Sequence, residues 1–348
     1  MDRRSFIKCT LWGGLLLARS RNAWPAEGNS LEGEGPSKKF MIWDAHAHPP
    51  GLFSDRPDPT MVTLARMKQA GLKGSVLAAV GDYAVKGRSG MRGTSAKLDA
   101  ERQLDQILSW MKSASLKQIR NLSDLTSLNT GVLGALLGIE GGDALEGRLE
   151  NLDLFYEKYG VRIITLMHDS TNAIGRHQRA QPTGEGLTPF GEKVVERMNQ
   201  LGMIIDVAHA ETQTMRGVAA LTKHPVVDSH THPSVQKKPL SRQRTWEEME
   251  WIAGTGGVVC TWPLFHQGRT NLLDWAGEVK TMQSRLGINH VGLGTDGSGH
   301  LPQTVEGYTH IGDLPKFISA MEKTGLAEEA IQAYLGGNFE RVIRAVLK

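Results

Sequence analysis

The chain has 348 residues, 40% of them apolar and 22% charged, with a formal net charge of +3. That balance excludes a disordered or low-complexity chain and leaves one large α/β domain or two smaller ones. Two cysteines, Cys9 and Cys260, are too few for a disulfide-built scaffold.

The first 26 residues, "MDRRSFIKCTLWGGLLLARSRNAWPA", begin with a basic head (Arg3, Arg4, Lys8). A short apolar stretch and a small-residue exit near Ala26 follow. This is the layout of an export signal, too short and glycine-broken for a good membrane span. "DRRSFIK" resembles the twin-arginine signal, which implies the twin-arginine export machinery as a partner and a periplasmic destination. Residues 27–39 read as a Gly/Ser/Glu-rich linker. Residues 1–26 hold five basic side chains and one acid, so removing them takes the net charge from +3 to −1. The basic excess belongs to the signal and gives no support to nucleic-acid binding. Cys260 alone is left and cannot form an internal disulfide.

From residue 40 onward, apolar runs alternate with amphipathic stretches. Strands are predicted at 40–48, 74–81, 132–140, 161–168, 203–210, 226–230, 256–262 and 290–296. Their continuous apolarity suits parallel strands covered on both faces. Helical patterns lie between them. "LTPFGEKVVERMNQLG" is the clearest, with Thr188 as N-cap, Pro189 at the first helical position and Gly202 as the stop. Two more helices, near 313–324 and 327–334, are expected to close the chain. Eight strands alternating with helices predict a single (β/α)8 TIM barrel over residues 40–348. The alternative is an open doubly wound sheet. No Gly-x-Gly-x-x-Gly follows the first strand, so its dinucleotide-binding version has no support.

Polar residues close most of these strands. His46 and His48 end the first, Glu140 the third, His168 the fourth, His209 the fifth, His230 the sixth and Asp296 the eighth; strands two and seven offer no comparable ligand. A barrel gathers the C-terminal ends of its strands around one mouth, where active sites form. Residues i and i+2 of a strand share a face, so His46 and His48 can grip one cation together. Nitrogen and carboxylate donors without thiolate suit Zn2+, with manganese, cobalt or iron as alternatives. The donors are too many for one catalytic ion with an open position, and two ions sharing a bridging carboxylate use them better.

"DAHAH", "LLGIEGGDAL", "GVRIITLMHDSTN", "GLTPFGEKVVERMNQLGMIIDVAHA", "VVDSHTHP", "HVGLGTDGSG" and "LGGNFERV" give these residues a family context. In these motifs and their order the chain resembles the membrane (renal-type) dipeptidase family, zinc peptidases of the metal-dependent amidohydrolase superfamily. The resemblance covers most of residues 40–345. It implies that His46, the residue two positions on and Asp296 bind one ion, that Glu140 bridges, and that His209 and His230 bind the other. It implies that His168 lies beside the substrate carbonyl, and that an arginine after the sixth strand pairs with the substrate carboxylate. Arg244 is preferred to Arg242 for that pairing, from its spacing to the following helix. The resemblance also implies a homodimer. The family usually has Asp where this chain has His48, and a carboxylate where it has Ser298. His232 is a neighbour without an assigned role.

The expected function is hydrolysis of a short peptide, most simply a dipeptide and with D-residues allowed at its C-terminal position, by a hydroxide bridging two Zn2+ ions. His168 would stabilise the oxyanion, and Asp296 would carry the proton to the leaving amine. Alternatives are an exported amidohydrolase acting on a modified peptide, N-acyl amino acid or lactone, and a barrel that binds without turnover.

Overall fold

The computed structural model describes residues 39–50, 52, 58–82, 95–128, 131–180, 184–234 and 242–348. The export signal read over residues 1–26, and all of the 27–39 linker except Lys39, lie outside them. Among the described residues, no helix is long and apolar enough to cross a membrane.

Eight strands form the barrel, in chain order: β1 (Ile42–Ala47), β2 (Leu72–Val80), β3 (Gly134–Glu140), β4 (Val161–Thr165), β5 (Ile204–Asp206), β6 (Val227–Pro233), β7 (Val258–Thr261) and β8 (Val291–Leu293). Neighbours pair in parallel in that same order. Past the end of β8, Ala47 bridges Gly297 in parallel, the Asp296 N–H donates to the His46 carbonyl at 2.9 Å, and the His48 N–H donates to the Gly297 carbonyl at 2.8 Å. These contacts bring the last strand back to the first, which makes the (β/α)8 barrel and leaves no open doubly wound sheet. Two further strands of two residues each, Lys117–Gln118 and Gln243–Arg244, pair with β3 and β6.

The helices form where the chain supplies starts and stops. Thr188 caps Pro189–Leu201 by accepting the Gly191 N–H, and Gly202 closes it in the left-handed region at φ 74°. Thr245 and Glu248 build a reciprocal capping box at the start of Trp246–Gly254. One expectation fell short. The helix Asn338–Val346 follows where the sequence suggested an end at residue 334. The Gly336–Gly337 pair reads as a stop, but the chain stays helical through it. A Cβ at Gly336 would sit 2.6 Å from the Met41 carbonyl and 2.8 Å from the Trp43 nitrogen, so glycine is there for close approach to β1.

That last helix forms the barrel floor. Phe339, Val342, Ile343 and Val346 pack with Trp43, Val76, Leu136, Ile163, Ile204, Val227 and Val258 of the strands, and Glu340 accepts the Trp43 indole N–H at 3.0 Å. A larger apolar belt lies between strands and outer helices. Farther along the strands the lining turns polar. Asp44 accepts the Thr295 N–H and hydroxyl, Asp206 accepts the Thr165 and Ser229 hydroxyls, and Asp228 accepts Arg244. Asp44 and Asp206 are thus matched by donors, and Asp228 by the Arg244 cation, as burial of such groups requires. The strand ends beyond this layer form the mouth.

Candidate active site

The strand ends converge as the barrel geometry demands. Glu140, on the last residue of β3, lies at the centre. Its Oε1 is 3.6 Å from His46 Nε2, 3.1 Å from His209 Nε2 and 3.5 Å from His230 Nε2. Its Oε2 is 3.4 Å from His48 Nε2 and 3.6 Å from His168 Nε2. Asp296 Oδ1 lies 3.5 Å from His48 Nε2. Among the described residues three donor groups have the spacing to hold an ion: His46, His48 and Asp296; His46, Glu140 and His230; and Glu140, His168 and His209. All seven residues expected at the mouth are therefore together.

Four of them reach it from beyond the strands, His48 directly after β1 and Asp296 three residues past β8. β4 stops at Thr165 and β5 at Asp206, so His168 and His209 stand on the loops that follow. Asp206 ends its own strand by turning its Oδ1 to the Ala208 N–H at 3.0 Å, and His209 takes a left-handed φ of 62°. Asp296 likewise sits at φ 50°. Such conformations cost energy in a non-glycine residue and cluster at sites the surrounding structure holds in place.

The far ring nitrogens of four of the histidines are braced. His48 Nδ1–H donates to the Ala78 carbonyl at 2.9 Å, and His168 Nδ1–H donates to Asp82 Oδ1 at 2.7 Å. His46 Nδ1 and His230 Nδ1 both meet the Ser229 hydroxyl, at 3.2 and 2.9 Å. A proton held on Nδ1 turns Nε2 inward, where its lone pair can ligate a cation once that nitrogen is unprotonated. His209 and His230 bring their Nε2 atoms within 2.8 Å of each other. Burial, followed for His230 by nearby positive charge, keeps both rings neutral; the His209 pKa falls to about 4. Burial opposes charge on His48 as well, but Asp296 and Glu140 outweigh it and lift its pKa to about 10. Burial is outweighed in the same way at His168, where Glu140 and Asp82 raise the pKa to about 9. Converging imidazoles around a buried carboxylate, with thiolates absent, fit a pair of divalent ions.

Arg244 requires a correction. Its side chain is 1% exposed, and its guanidinium donates to Asp228 at 2.6 Å and to the Ala210 and Val207 carbonyls at 2.7 and 2.8 Å. It ties β6 to the loop after β5, with all three of its nitrogens engaged in the barrel interior. Spacing to the next helix could not reveal this, because Arg242 lies just outside the two-residue strand Gln243–Arg244 and takes a left-handed φ of 69°, which breaks the alternation that would put both arginines on one face. Arg242 is the arginine at the mouth. Its Nη1 is 3.6 Å from Asp296 Oδ2, and its guanidinium lies over the Trp262 ring at 5.2 Å.

Three further residues bear on the site. Asp82 follows β2, a strand from which no contribution was expected. Besides holding His168, it accepts the Asp169 N–H at 3.1 Å. An acid directly after a strand-ending glycine was the available signal. Trp262, just past β7, supports Arg242 and packs against His230 with ring centroids 5.3 Å apart. Its indole N–H donates to His232 Nδ1 at 3.0 Å, and His232 stacks on His266. Ser298 is turned toward the loop after β1, where its hydroxyl accepts the Val62 N–H at 2.8 Å.

The membrane dipeptidase family (peptidase family M19) matches residues 37–348. Dipeptidase verJ of Clonostachys rogersoniana is 31% identical over 226 residues, covering 62% of this chain and 56% of that protein. Human dipeptidase 3 is 30% identical over 249 residues, covering 68% and 50%. The chain thus spans about half the length of the curated relatives it matches. Among solved structures, the probable dipeptidase PvdM from Pseudomonas aeruginosa superposes with a TM-score of 0.76 at 19% identity, covering 88% of this chain and 96% of that one. A metallo peptidase from Rhodobacter sphaeroides, liganded with a phosphinate mimic of L-Ala-D-Ala, gives 0.73 at 20%, covering 88% and 99%. These structural likenesses show a shared fold, and the sequence match over nearly all of the barrel places this chain in the membrane dipeptidase family.

Proposed function

We propose that the protein is a binuclear metallo-dipeptidase that uses Zn2+. The observation that carries this reading is the convergence of five histidine Nε2 atoms on the two oxygens of buried Glu140. His46, His48 and Asp296 would hold one ion, His209 and His230 the other, and Glu140 both. When bound, the ions supply the Lewis acidity that makes water nucleophilic near neutral pH and polarises a scissile carbonyl. Charge on His168, sustained by Asp82, suits it to stabilise the oxyanion that develops from that carbonyl. Asp296 turns Oδ1 to His48 and Oδ2 to Arg242, which leaves it at the edge of the donor cluster, in position to carry a proton to the leaving amine. Arg242 takes over the role first read for Arg244, pairing with a substrate carboxylate. A fixed carboxylate clamp so near the reacting centre favours very short peptides.

The N-terminal pattern supports twin-arginine export to the periplasm, and the family resemblance supports a homodimer. The L-Ala-D-Ala mimic in the Rhodobacter relative supports including D-residues at the substrate's C-terminal position. The test is metal analysis of the purified protein together with a panel of L,L- and L,D-dipeptides, N-acyl amino acids and lactones. Two Zn2+ per chain with preferential dipeptide turnover is the expected result. Turnover of lactones or N-acyl amino acids alone, or no turnover with two ions bound, would overturn the reading.

A further inference from the structure

We infer that Ser229 is a positioning residue that prepares both halves of the metal centre at once, through a hydroxyl whose proton Asp206 holds. This rests on the two-ion reading above for the assignment of His46 and His230 to different ions.

Ser229 is fully buried on β6, one residue before His230. Its Oγ lies 2.6 Å from Asp206 Oδ2, 2.9 Å from His230 Nδ1 and 3.2 Å from His46 Nδ1. A hydroxyl has one proton and two lone pairs, and an ionised carboxylate only accepts. Asp206 is already an acceptor on every side. Its Oδ1 takes the Ala208 and Ser229 N–H groups at 3.0 Å each, and its Oδ2 takes the Thr165 hydroxyl at 2.6 Å. The Ser229 proton therefore goes to Asp206, and both Ser229 lone pairs are left to the two imidazoles. Each ring must then carry its proton on Nδ1, which turns both Nε2 lone pairs toward Glu140. The two rings stand 4.3 Å apart between centroids, so one hydroxyl can reach both.

The arrangement sets these histidines apart from His48 and His168. His48 is braced by the Ala78 backbone carbonyl, which side-chain substitution does not remove, and His168 has its own carboxylate in Asp82. Loss of the Ser229 hydroxyl strikes one ligand of each ion and leaves those two braces in place.

The experiment loads full-length protein with Zn2+ and titrates it with a chelator, measuring metal retained per chain by plasma mass spectrometry. Ser229→Ala is expected to release both ions at a free Zn2+ concentration roughly 10- to 100-fold higher than wild type, the usual loss when a brace behind a ligand is removed. Asp206→Asn is expected to weaken both ions as well, because its amide can donate to Ser229 and occupy a lone pair the histidines use. A merely space-filling Ser229 would lower the Tm of the metal-free protein and leave ion retention unchanged, and that result would overturn the inference. If Ser229→Ala does not fold, wild-type retention in folded Asp206→Asn has the same force. Ring 15N spectra of metal-free wild type are independent of ion stoichiometry: Nδ1–H tautomers at both His46 and His230 support the inference, and an Nε2–H tautomer at either overturns it. Fewer than two Zn2+ per wild-type chain would count against the two-ion reading, with the tautomers still deciding the role of Ser229.

Discussion

Arg242 and Arg244 are two residues apart, and the structure gives them opposite work. Replacing Arg244 with alanine would strand Asp228 in the barrel interior, where Asp228 Oδ1 already has no hydrogen-bond partner. It would also free the carbonyls of Ala210 and Val207. Removing one partner of a buried ion pair costs ~3–5 kcal/mol, because the remaining charge is uncompensated. With an unfolding entropy of ~2.1 cal/mol/K per residue over a domain of about 300 residues, that loss lowers Tm by roughly 5–8 °C. Arg242→Ala breaks no buried pair, since its side chain is 28% exposed and stands 3.6 Å from Asp296. It should leave Tm nearly unchanged and lower kcat/KM for dipeptides by roughly 10- to 100-fold, the scale of a charge-assisted hydrogen bond. Differential scanning calorimetry and steady-state kinetics on both variants make the comparison. Wild-type Tm with abolished turnover in Arg244→Ala, or a several-degree loss in Arg242→Ala, would refute the assignment.

Three other outcomes are expected. His48 is ionised near neutral pH before any ion binds, because its pKa lies at about 10, whereas ligation requires the neutral ring. Titrating Zn2+ into metal-free protein at pH 7.5, in buffers of different ionisation enthalpy, should therefore reveal release of about one proton or more, with affinity rising as pH rises toward 10. Heats independent of the buffer would contradict this. Asp296→Asn keeps an oxygen donor and removes the proton acceptor, so turnover should fall by roughly 10²–10⁴-fold with ions retained; full activity in the metal-loaded variant would rule Asp296 out as the proton carrier. Gly294→Ala places a Cβ 1.8 Å from the Ser229 carbonyl, so urea denaturation should show at least ~1–3 kcal/mol of destabilisation. Unchanged stability would mean that the barrel interior is wider there than the structure shows.

Much of this molecule is legible in its sequence because the responsible signals are local. Apolar runs of strand length, Thr188-Pro189 before a helix and Gly202 after it follow from backbone and solvation chemistry within a few residues. Strand order gathers His46, His48, Glu140, His168, His209, His230 and Asp296 almost automatically, since a parallel barrel points every strand's C-terminal end at one mouth. What the sequence could not settle depends on which way a side chain turns after its strand ends. Arg242 and Arg244 are equally basic and nearly adjacent, and only the left-handed backbone at Arg242, just before Gln243–Arg244 pairs with His232–Pro233, separates the buried one from the open one. Asp82 acquires its partner His168 from 86 residues away, and Ser229 meets His46 from 183 residues away. Periodicity determined the barrel and its ring of candidate ligands; tertiary packing decided which groups brace those residues, because hydrogen-bond partners across a closed sheet are set by three-dimensional proximity and leave no period in the chain.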